Sequence, residues 1–98
     1  MKIKLLGKIW QLRFIYIKKT KEEKAAHGSC DAPHIKGKSI RINNKLKGKP
    51  MLETLIHEMM HAADWTKDEE FVTEEARDIT NVLWRLGYRR IGRDVKVP

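Results

Sequence analysis

The spacing of apolar residues changes near Pro50, and this change restricts the possible folds of the chain more than any other feature of its sequence. Before Pro50, every second residue of a short segment is large and apolar: Trp10, Leu12, Phe14 and Tyr16. Alternation of this kind is typical of a strand with one buried face. After Pro50 the apolar residues recur at spacings of three and four: Leu52, Leu55, Ile56, Met59 and Ala63. That spacing is typical of an amphipathic helix, so the sequence predicts an α+β domain.

The part of the chain before Pro50 predicts a small sheet. Residues 1–17 indicate a β-hairpin that turns at Gly7 and Lys8, with the Trp10 face toward the core. Residues 39–43, SIRIN, predict a further short strand. Residues 18–38 are polar and show neither the two-residue repeat of a strand nor the repeat of a helix. We therefore expect a long loop there, with at most one helical turn at its start. These elements together predict an antiparallel sheet of about three strands.

The part of the chain after Pro50 predicts two helices that pack on this sheet. Proline suits the first position of the first helix, which we expect to end near Trp65. Asp68 suits the N-cap of a second helix, and Gly87 suits its end at about Leu86. We expect one face of the second helix to be buried: Val72, Ala76, Ile79, Leu83 and Leu86.

The length and composition of the chain predict one folded domain. Its 98 residues suit a single core, so we expect one domain over residues 1–98, with sheet and loop in 1–43 and two helices in 50–87. No apolar run reaches the roughly 18 residues of a membrane span, so we expect no membrane contact and no signal peptide. The single cysteine, Cys30, excludes an intramolecular disulfide, which favours the reducing cytoplasm.

Positive charge is concentrated in the first half of the chain. Residues 1–50 hold 14 Lys and Arg against 3 acidic residues, whereas residues 51–98 hold 7 against 10. A basic half can attract an anionic partner. Two interpretations follow: a solvated lysine-rich surface, and a weak contact with nucleic acid through the basic half.

The segment HEMMH, residues 57–61, carries the pattern of a metal site. On a helix, positions i and i+4 lie on one face, so His57 and His61 can present two imidazoles to one ion. Nitrogen ligands at about 2.0 to 2.1 Å suit Zn²⁺, and Glu58 is placed to act as a general base. The apolar stripe points almost opposite to both histidines, which favours a metal site over a pair of core histidines.

A catalytic zinc site generally takes three protein ligands, and several carboxylates follow the motif. Asp64 shares the histidine face, but one straight helix cannot wrap the ion, so we expect Asp64 to orient a histidine instead. Glu69 lies at the edge of the predicted buried face, whereas a tight turn between the helices would place Glu74 level with the histidines. The residues alone leave the third ligand open among Glu69, Glu70, Glu74 and Glu75.

The predicted loop holds three further residues that can bind metals: His27, Cys30 and His34. They could cap a cleft or supply an outer ligand, such as a cysteine that blocks the zinc ion. The competing interpretation is a turn-rich loop without ligands.

The residues after Ser39 resemble the gluzincin clan of zinc metallopeptidases, in which a glutamate from the next helix joins HExxH. More narrowly, LIHEMMHAADW followed by DEEFVTEEARDITNVLWRLGY is similar to small HExxH proteins of bacterial and phage genomes. The resemblance covers about residues 39–88, and only its HExxH part is highly specific. It implies a minimal zincin-like domain in which His57 and His61 bind zinc, Glu58 is the general base, and a glutamate of the pair before Val72 is the third ligand. Together with the predicted buried face of the second helix, this favours Glu69 over Glu70 and Glu74. The resemblance also implies that the strand at 39–43 is the edge that pairs with an extended substrate.

The predicted function is that of a zinc-dependent metallopeptidase that acts on a peptide or protein. The alternative is a non-enzymatic zinc-binding regulator or nucleic-acid-associated protein that works through its basic N-terminal half. The chain departs from larger members of the clan because it has no second lobe to hold a substrate.

Overall fold

The computed structural model describes residues 1–17 and 27–92, which form a four-stranded mixed sheet and two helices. The elements in chain order are β1 (Lys2–Leu5), β2 (Lys8–Ile15), β3 (Gly28–Cys30), β4 (Ser39–Asn43), α1 (Gly48–Ala63) and α2 (Glu69–Arg85). The α+β class is confirmed, as are both helices and the three predicted strands. Neither helix in the described part of the chain is long and apolar enough to cross a membrane.

Strands β1 and β2 form the predicted hairpin, with Ile3 opposite Trp10. Its turn is Leu6 and Gly7, one residue earlier than predicted, and both have positive φ, 47° and 78°. A two-residue turn with both residues in this region matches the right-handed twist of the strands that it joins. Tyr16 lies beyond the end of β2 and is exposed, so the prediction that it belongs to the core face was wrong.

The sheet is mixed, because β2 and β4 run parallel to each other. The strand order is β1-β2-β4-β3, so the short strand β3 lies outside β4 and runs antiparallel to it. The sequence prediction missed β3, whose residues Gly-Ser-Cys have little strand propensity. Because the chain reverses direction twice between β2 and β4, these two strands point the same way. The antiparallel sheet of about three strands was therefore a partly wrong prediction.

Helix α1 is the middle layer of the molecule. It packs on one face of the sheet, and α2 packs on α1 without close backbone contact to any described strand. The core between the sheet and α1 contains these buried residues: Trp10, Leu12, Ile40, Ile42, Met51 and Ala62. Because α1 is covered on two sides, its buried surface is wider than the predicted stripe. Ala63, predicted to be buried, is exposed at the end of the helix.

Helix α2 has the predicted caps at both ends. Asp68 accepts a hydrogen bond from the Phe71 N–H, and at the other end the Gly87 and Tyr88 N–H groups donate to carbonyls of the last turn. Gly87 has φ of 93°, so this is a Schellman cap. The residues buried against α1 are Val72, Ala76 and Thr80. The prediction was wrong for Ile79 and Leu86, which are 38% and 70% exposed.

An ion pair connects β4 to the residue that follows β3. Arg41 donates from Nη2 to Oδ1 of Asp31 over 2.6 Å, and the Ser39 N–H donates to the other carboxylate oxygen over 2.9 Å. The Arg41 side chain also donates from Nε to the Ser29 hydroxyl. These bonds fix the short edge strand β3 against β4. The hydrogen bond from Arg41, followed by that from Ser39, lowers the pKa of Asp31.

Replacing Asp31 with Asn should therefore destabilise the fold in a pH-dependent way. We expect Asp31→Asn to lower the free energy of unfolding by about 1 to 2 kcal/mol at pH 7. A lowered pKa in the folded state stabilises the fold above the unfolded pKa of about 3.9, and this stabilisation is lost as the pH falls through the folded pKa. The difference between variant and parent should then shrink below about pH 4, as measured by urea unfolding between pH 7 and pH 2.5.

Asp78→Asn is the matched control, because Asp78 is an exposed acid on α2 whose nearest described ion-pair contact is 4.0 Å long. We expect the control to change stability by less than about 0.5 kcal/mol. An equal loss from both variants, or a loss for Asp31→Asn that is undiminished at pH 2.5, would contradict the assigned role of Asp31.

Candidate metal centre

The two histidines of HEMMH lie one turn apart on α1 and point to the same place. Their Nε2 atoms are 3.2 Å apart, and the ring centroids are 4.8 Å apart. The side chains of His57 and His61 are 19% and 15% exposed. They are therefore held by their surroundings but still open to a small ligand.

Glu69, the first residue of α2, contacts both histidines. Its Oε1 lies 2.9 Å from Nε2 of His57, and its Oε2 lies 2.6 Å from Nε2 of His61. The five residues between the helices form a connection loose enough to bring the start of α2 back beside the last two turns of α1. A tighter turn between the helices would have placed Glu74, instead of Glu69, beside the two histidines.

Within the described part of the chain, His57, His61 and Glu69 are the only residues whose ligand atoms form a group suitable for one metal ion. Of the other candidates for third ligand, Glu70 and Glu74 are exposed, and Glu74 lies 3.9 Å from Arg77. Glu75 lies 3.5 Å from Lys67. Glu69 is thus the candidate that the structure brings to the histidines. Metal binding by the three residues stays a prediction.

Asp64 does not contact a histidine, so that expectation was wrong. Its carboxylate accepts hydrogen bonds from the N–H and the hydroxyl of Thr66, over 3.1 and 2.6 Å. These bonds lower the pKa of Asp64 and fix the turn after α1. His27 and His34 are exposed and lie outside the group of ligand atoms, whereas Cys30 borders the same cleft as the histidines.

The donor set and its spacing fit a zinc ion. Two imidazoles and one carboxylate are a ligand set that catalytic zinc takes, and bonds of about 2.0 to 2.2 Å hold tetrahedral ligand atoms roughly 3.3 to 3.6 Å apart. The separations here, 2.6 to 3.2 Å, are those of direct hydrogen bonds between the side chains, two of them to different oxygens of Glu69. One ligand atom from each of the three residues lies within 4.8 Å of the others, which is close enough for one ion. A metal ion between the two histidines would bind the lone pairs of both Nε2 atoms, so each imidazole would carry its proton on Nδ1.

Glu58 is buried beside the histidines, between α1 and β3. Burial raises its pKa, and the neighbouring histidines partly offset this effect. Strand β3 comes this close because residue 28 is glycine. A Cβ at Gly28 would lie 2.8 Å from the Arg41 carbonyl oxygen, 2.8 Å from Cγ2 of Thr54 and 3.2 Å from Cγ of Glu58. The glycine therefore places the edge of the sheet directly against the Glu58 side chain.

The cleft at this group has a volume of about 410 Å³. Besides His57, Glu58, His61 and Glu69, it is lined by Cys30, Trp65 and Lys67. Burial, followed by the nearby charges of Glu58 and Asp31, raises the pKa of the Cys30 thiol to about 12. The thiol is therefore protonated at neutral pH and is a poor nucleophile.

The free edge of the sheet beside the cleft is β3. The expectation that the strand at residues 39–43 forms this edge was wrong, because β4 pairs with β2 on one side and with β3 on the other. The Asp31 N–H donates to the Ser39 carbonyl, so the main-chain groups of Asp31 face β4. In an antiparallel pair, successive residues of a strand alternate between facing the partner strand and facing away from it. Gly28 and Cys30 therefore direct their N–H and C=O groups away from β4. No described strand pairs with them there.

The sequence did not indicate two residues that line the cleft, Trp65 and Lys67, nor the close approach of β3 to α1 at Gly28. Gly28 was assigned to a loop, and its importance depends on a contact between distant segments that a single sequence does not reveal. Trp65 and Lys67 lie in the connection after HEMMH, and their proximity to the motif was the only available signal. Comparison of the chain with models of known families, with curated proteins and with solved structures found no match.

Replacing Glu69 should weaken zinc binding far more than replacing its neighbours. We expect Glu69→Gln to lower zinc affinity at least tenfold, because it removes the only carboxylate beside the two Nε2 atoms in the described structure. Isothermal titration calorimetry with zinc would measure the change. Glu70→Gln and Glu74→Gln are matched controls that remove the same charge from the same helix, and they should bind as the parent does. Equal losses from all three variants would indicate a general effect of charge and would contradict the site.

Proposed function

We propose that the protein is a zinc-dependent metallopeptidase, with zinc held by His57, His61 and Glu69. The observation that carries this proposal is that one carboxylate contacts both histidines beside a buried carboxylate, Glu58, in an open cleft. A purely structural zinc site is usually closed by four protein ligands, whereas the described group supplies three. A zinc ion held by three protein ligands would keep one coordination position for water or substrate.

The side chains of the cleft have separable roles in the proposed reaction. A bound zinc ion would lower the pKa of water to about 7 and polarise a peptide carbonyl. His57 and His61 bind through neutral imidazoles, and Glu69 contributes the negative charge of the ligand set. Glu58 accepts a proton from the attacking water and donates it to the nitrogen of the leaving amine. The burial that raises the pKa of Glu58 assists this second transfer, because the protonated form is less disfavoured.

The substrate in this proposal is an extended peptide that adds to the outer edge of β3. The outward N–H and C=O groups of Gly28 and Cys30 supply main-chain hydrogen bonds, which hold a peptide regardless of its side chains. Gly28 lies against Glu58 and Cys30 borders the cleft, so a peptide on this edge would pass the metal group. The exposed ring of Trp65 offers an apolar surface for one substrate side chain.

We assign this activity to the cytoplasm. The chain has a single cysteine, Cys30, and therefore forms no intramolecular disulfide, which is the pattern of a protein in a reducing compartment.

Glu58→Gln should separate proton transfer from zinc binding. The amide has nearly the same shape as the carboxylate but cannot accept the proton, so we expect hydrolysis of a mixed-sequence fluorogenic peptide library to fall about 10² to 10⁴-fold. Zinc affinity, measured by calorimetry, should stay close to that of the parent. Glu53→Gln is the matched control on the same helix and should keep full activity. A Glu58→Gln variant with the activity of the parent would contradict the mechanism.

A second candidate function is binding of nucleic acid, and a basic surface on the sheet supports it. Lys2, Lys4 and Arg13 are exposed on the face opposite α1. Lys2 pairs with Gln11, so Lys2 and Arg13 are diagonal neighbours in the sheet, and their Cα atoms are about 7 to 8 Å apart. None of the three has an ion-pair partner within the described residues. Clustered cations that lack acidic partners suit contact with a phosphate backbone.

The triple variant Lys2→Gln, Lys4→Gln, Arg13→Gln should weaken binding to a duplex DNA of mixed sequence. We expect the slope of log affinity against log salt, measured by fluorescence anisotropy, to fall by about 2 to 3. The matched control removes three charges from the start of α1 and from α2: Lys47→Gln, Lys49→Gln, Arg77→Gln. Equal slopes for the two triple variants would contradict a specific role for the sheet face.

A further inference from the structure

A second cavity lies between β2, the first half of α1 and the end of α2, and we name it the apolar cavity. Its volume is about 340 Å³. It shares no lining residue with the cleft at His57 and His61. A cavity of this size with mostly apolar walls is typical of a site for a small ligand. The side chains that form its walls are Leu12, Phe14, Met51, Leu52, Leu55 and Trp84.

The walls of the apolar cavity are fixed by packing within the protein. Leu12 and Met51 belong to the buried core between the sheet and α1. The indole of Trp84 lies against the first residue of α1, since a Cβ at Gly48 would be 3.3 Å from Cη2 of the indole. Gly48 also has φ of 58°, a conformation that favours glycine. The cavity is therefore formed before any ligand enters it.

Two guanidinium groups border the apolar cavity, and each lies over an aromatic ring of its wall. Cζ of Arg89 is 3.3 Å from the ring centroid of Trp84, and Cζ of Arg90 is 4.0 Å from the ring centroid of Phe14. None of the described residues that line the cavity is acidic. The combination of apolar walls and two cations at the border favours a ligand that is apolar at one end and anionic at the other.

Arg89 has hydrogen-bond donors available for such a ligand. Its Nη1 donates to the carbonyl oxygens of Trp84 and Tyr88, over 3.0 and 2.8 Å, and these bonds fix the guanidinium. The other three N–H groups are on Nε and Nη2. They have no acceptor among the residues that the structure describes. A fixed guanidinium with several donors suits a carboxylate, which accepts two parallel hydrogen bonds from it.

We propose that the apolar cavity binds a small amphipathic carboxylate. Its apolar body fills the space between β2, α1 and Trp84, and its carboxylate contacts Arg89 and Arg90. A water molecule takes about 30 Å³ in the liquid, and a methylene group is of similar size, so the cavity has room for roughly ten carbons. Straight-chain alkanoates of increasing length are suitable probes, with decanoate as the one that matches this volume.

The dependence of affinity on chain length tests the size of the site. In calorimetric titrations of the metal-free protein, we expect a decanoate dissociation constant of roughly 10 to 100 µM. From hexanoate upward, affinity should rise about fourfold for each methylene group that enters the cavity. It should level off at about ten to twelve carbons, where the cavity is full. A decanoate dissociation constant above about 1 mM, or a rise that continues unchanged to tetradecanoate, would overturn the proposal.

The charge of the ligand tests the role of the two arginines. We expect decan-1-ol to bind the parent at least tenfold more weakly than decanoate, because it lacks the carboxylate. The double variant Arg89→Gln, Arg90→Gln should lose at least tenfold in decanoate affinity and keep the parent affinity for decan-1-ol. Unchanged binding of the alcohol would show that the variant still folds and still forms the cavity.

The matched control is Arg77→Gln, Arg85→Gln, which removes two charges from α2 at positions that do not line the cavity. It should bind decanoate as the parent does. Equal losses from the two double variants would indicate a general effect of net charge and would contradict the site. Equal affinities of the parent for decanoate and decan-1-ol would contradict recognition of a carboxylate.

Leu52→Trp tests whether the chain of the ligand lies inside the cavity. Leu52 is a half-buried wall residue, so a larger side chain at this position should fill part of the space. We expect affinity to level off at a chain about two carbons shorter than in the parent. Val82→Trp is the control, because Val82 is 58% exposed on α2 and does not line the cavity. The same limiting chain length in both variants would place the ligand elsewhere.

A second copy of the chain is the competing occupant of the apolar cavity. Sedimentation equilibrium with and without about 1 mM decanoate would detect it, and we expect a monomer in both conditions. A dimer that decanoate dissociates would show that a neighbouring copy fills the cavity, and it would overturn the proposal. None of these measurements depends on zinc or on hydrolysis.

Discussion

The close packing of α1 between the sheet and α2 is the constraint on which the rest of the structure depends. One side of α1 meets the sheet so closely that only glycine fits at residue 28, and this contact buries Glu58. Another side receives α2, whose first residue reaches the two histidines. The candidate metal centre is therefore a product of two packing contacts of one helix. Neither contact would suffice without the other, because one positions the buried acid and the other completes the group of ligand atoms.

The sequence predicted the parts of this arrangement that depend on local pattern. The period of apolar residues located α1 and α2, and Asp68 and Gly87 cap the second helix as expected. The spacing of His57 and His61 predicted that they share one helical face. These features depend on residues within one or two helical turns, where backbone geometry fixes the relation between positions.

The sequence left open what depends on contacts between distant segments. Strand β3 has three residues of low strand propensity, so its place at the sheet edge comes from pairing with β4 and from the Asp31–Arg41 ion pair. Missing β3 also reversed the predicted direction of β4 relative to β2. The choice among four glutamates for the third ligand depended on the path of five connecting residues. The exposure of Ile79 and Leu86 likewise depended on how α2 rotates against α1.

The order of layers has a consequence for how the molecule opens. Because α2 rests on α1 and not on the described strands, it can detach without disrupting the core between the sheet and α1. Such a partial unfolding would carry Glu69 away from the histidines, whose own helix would stay in place. The three candidate ligands thus lie on two helices, of which only α1 contacts the sheet. An ion held by all three would restrict this opening and slow the amide hydrogen exchange of α2 more than that of the sheet.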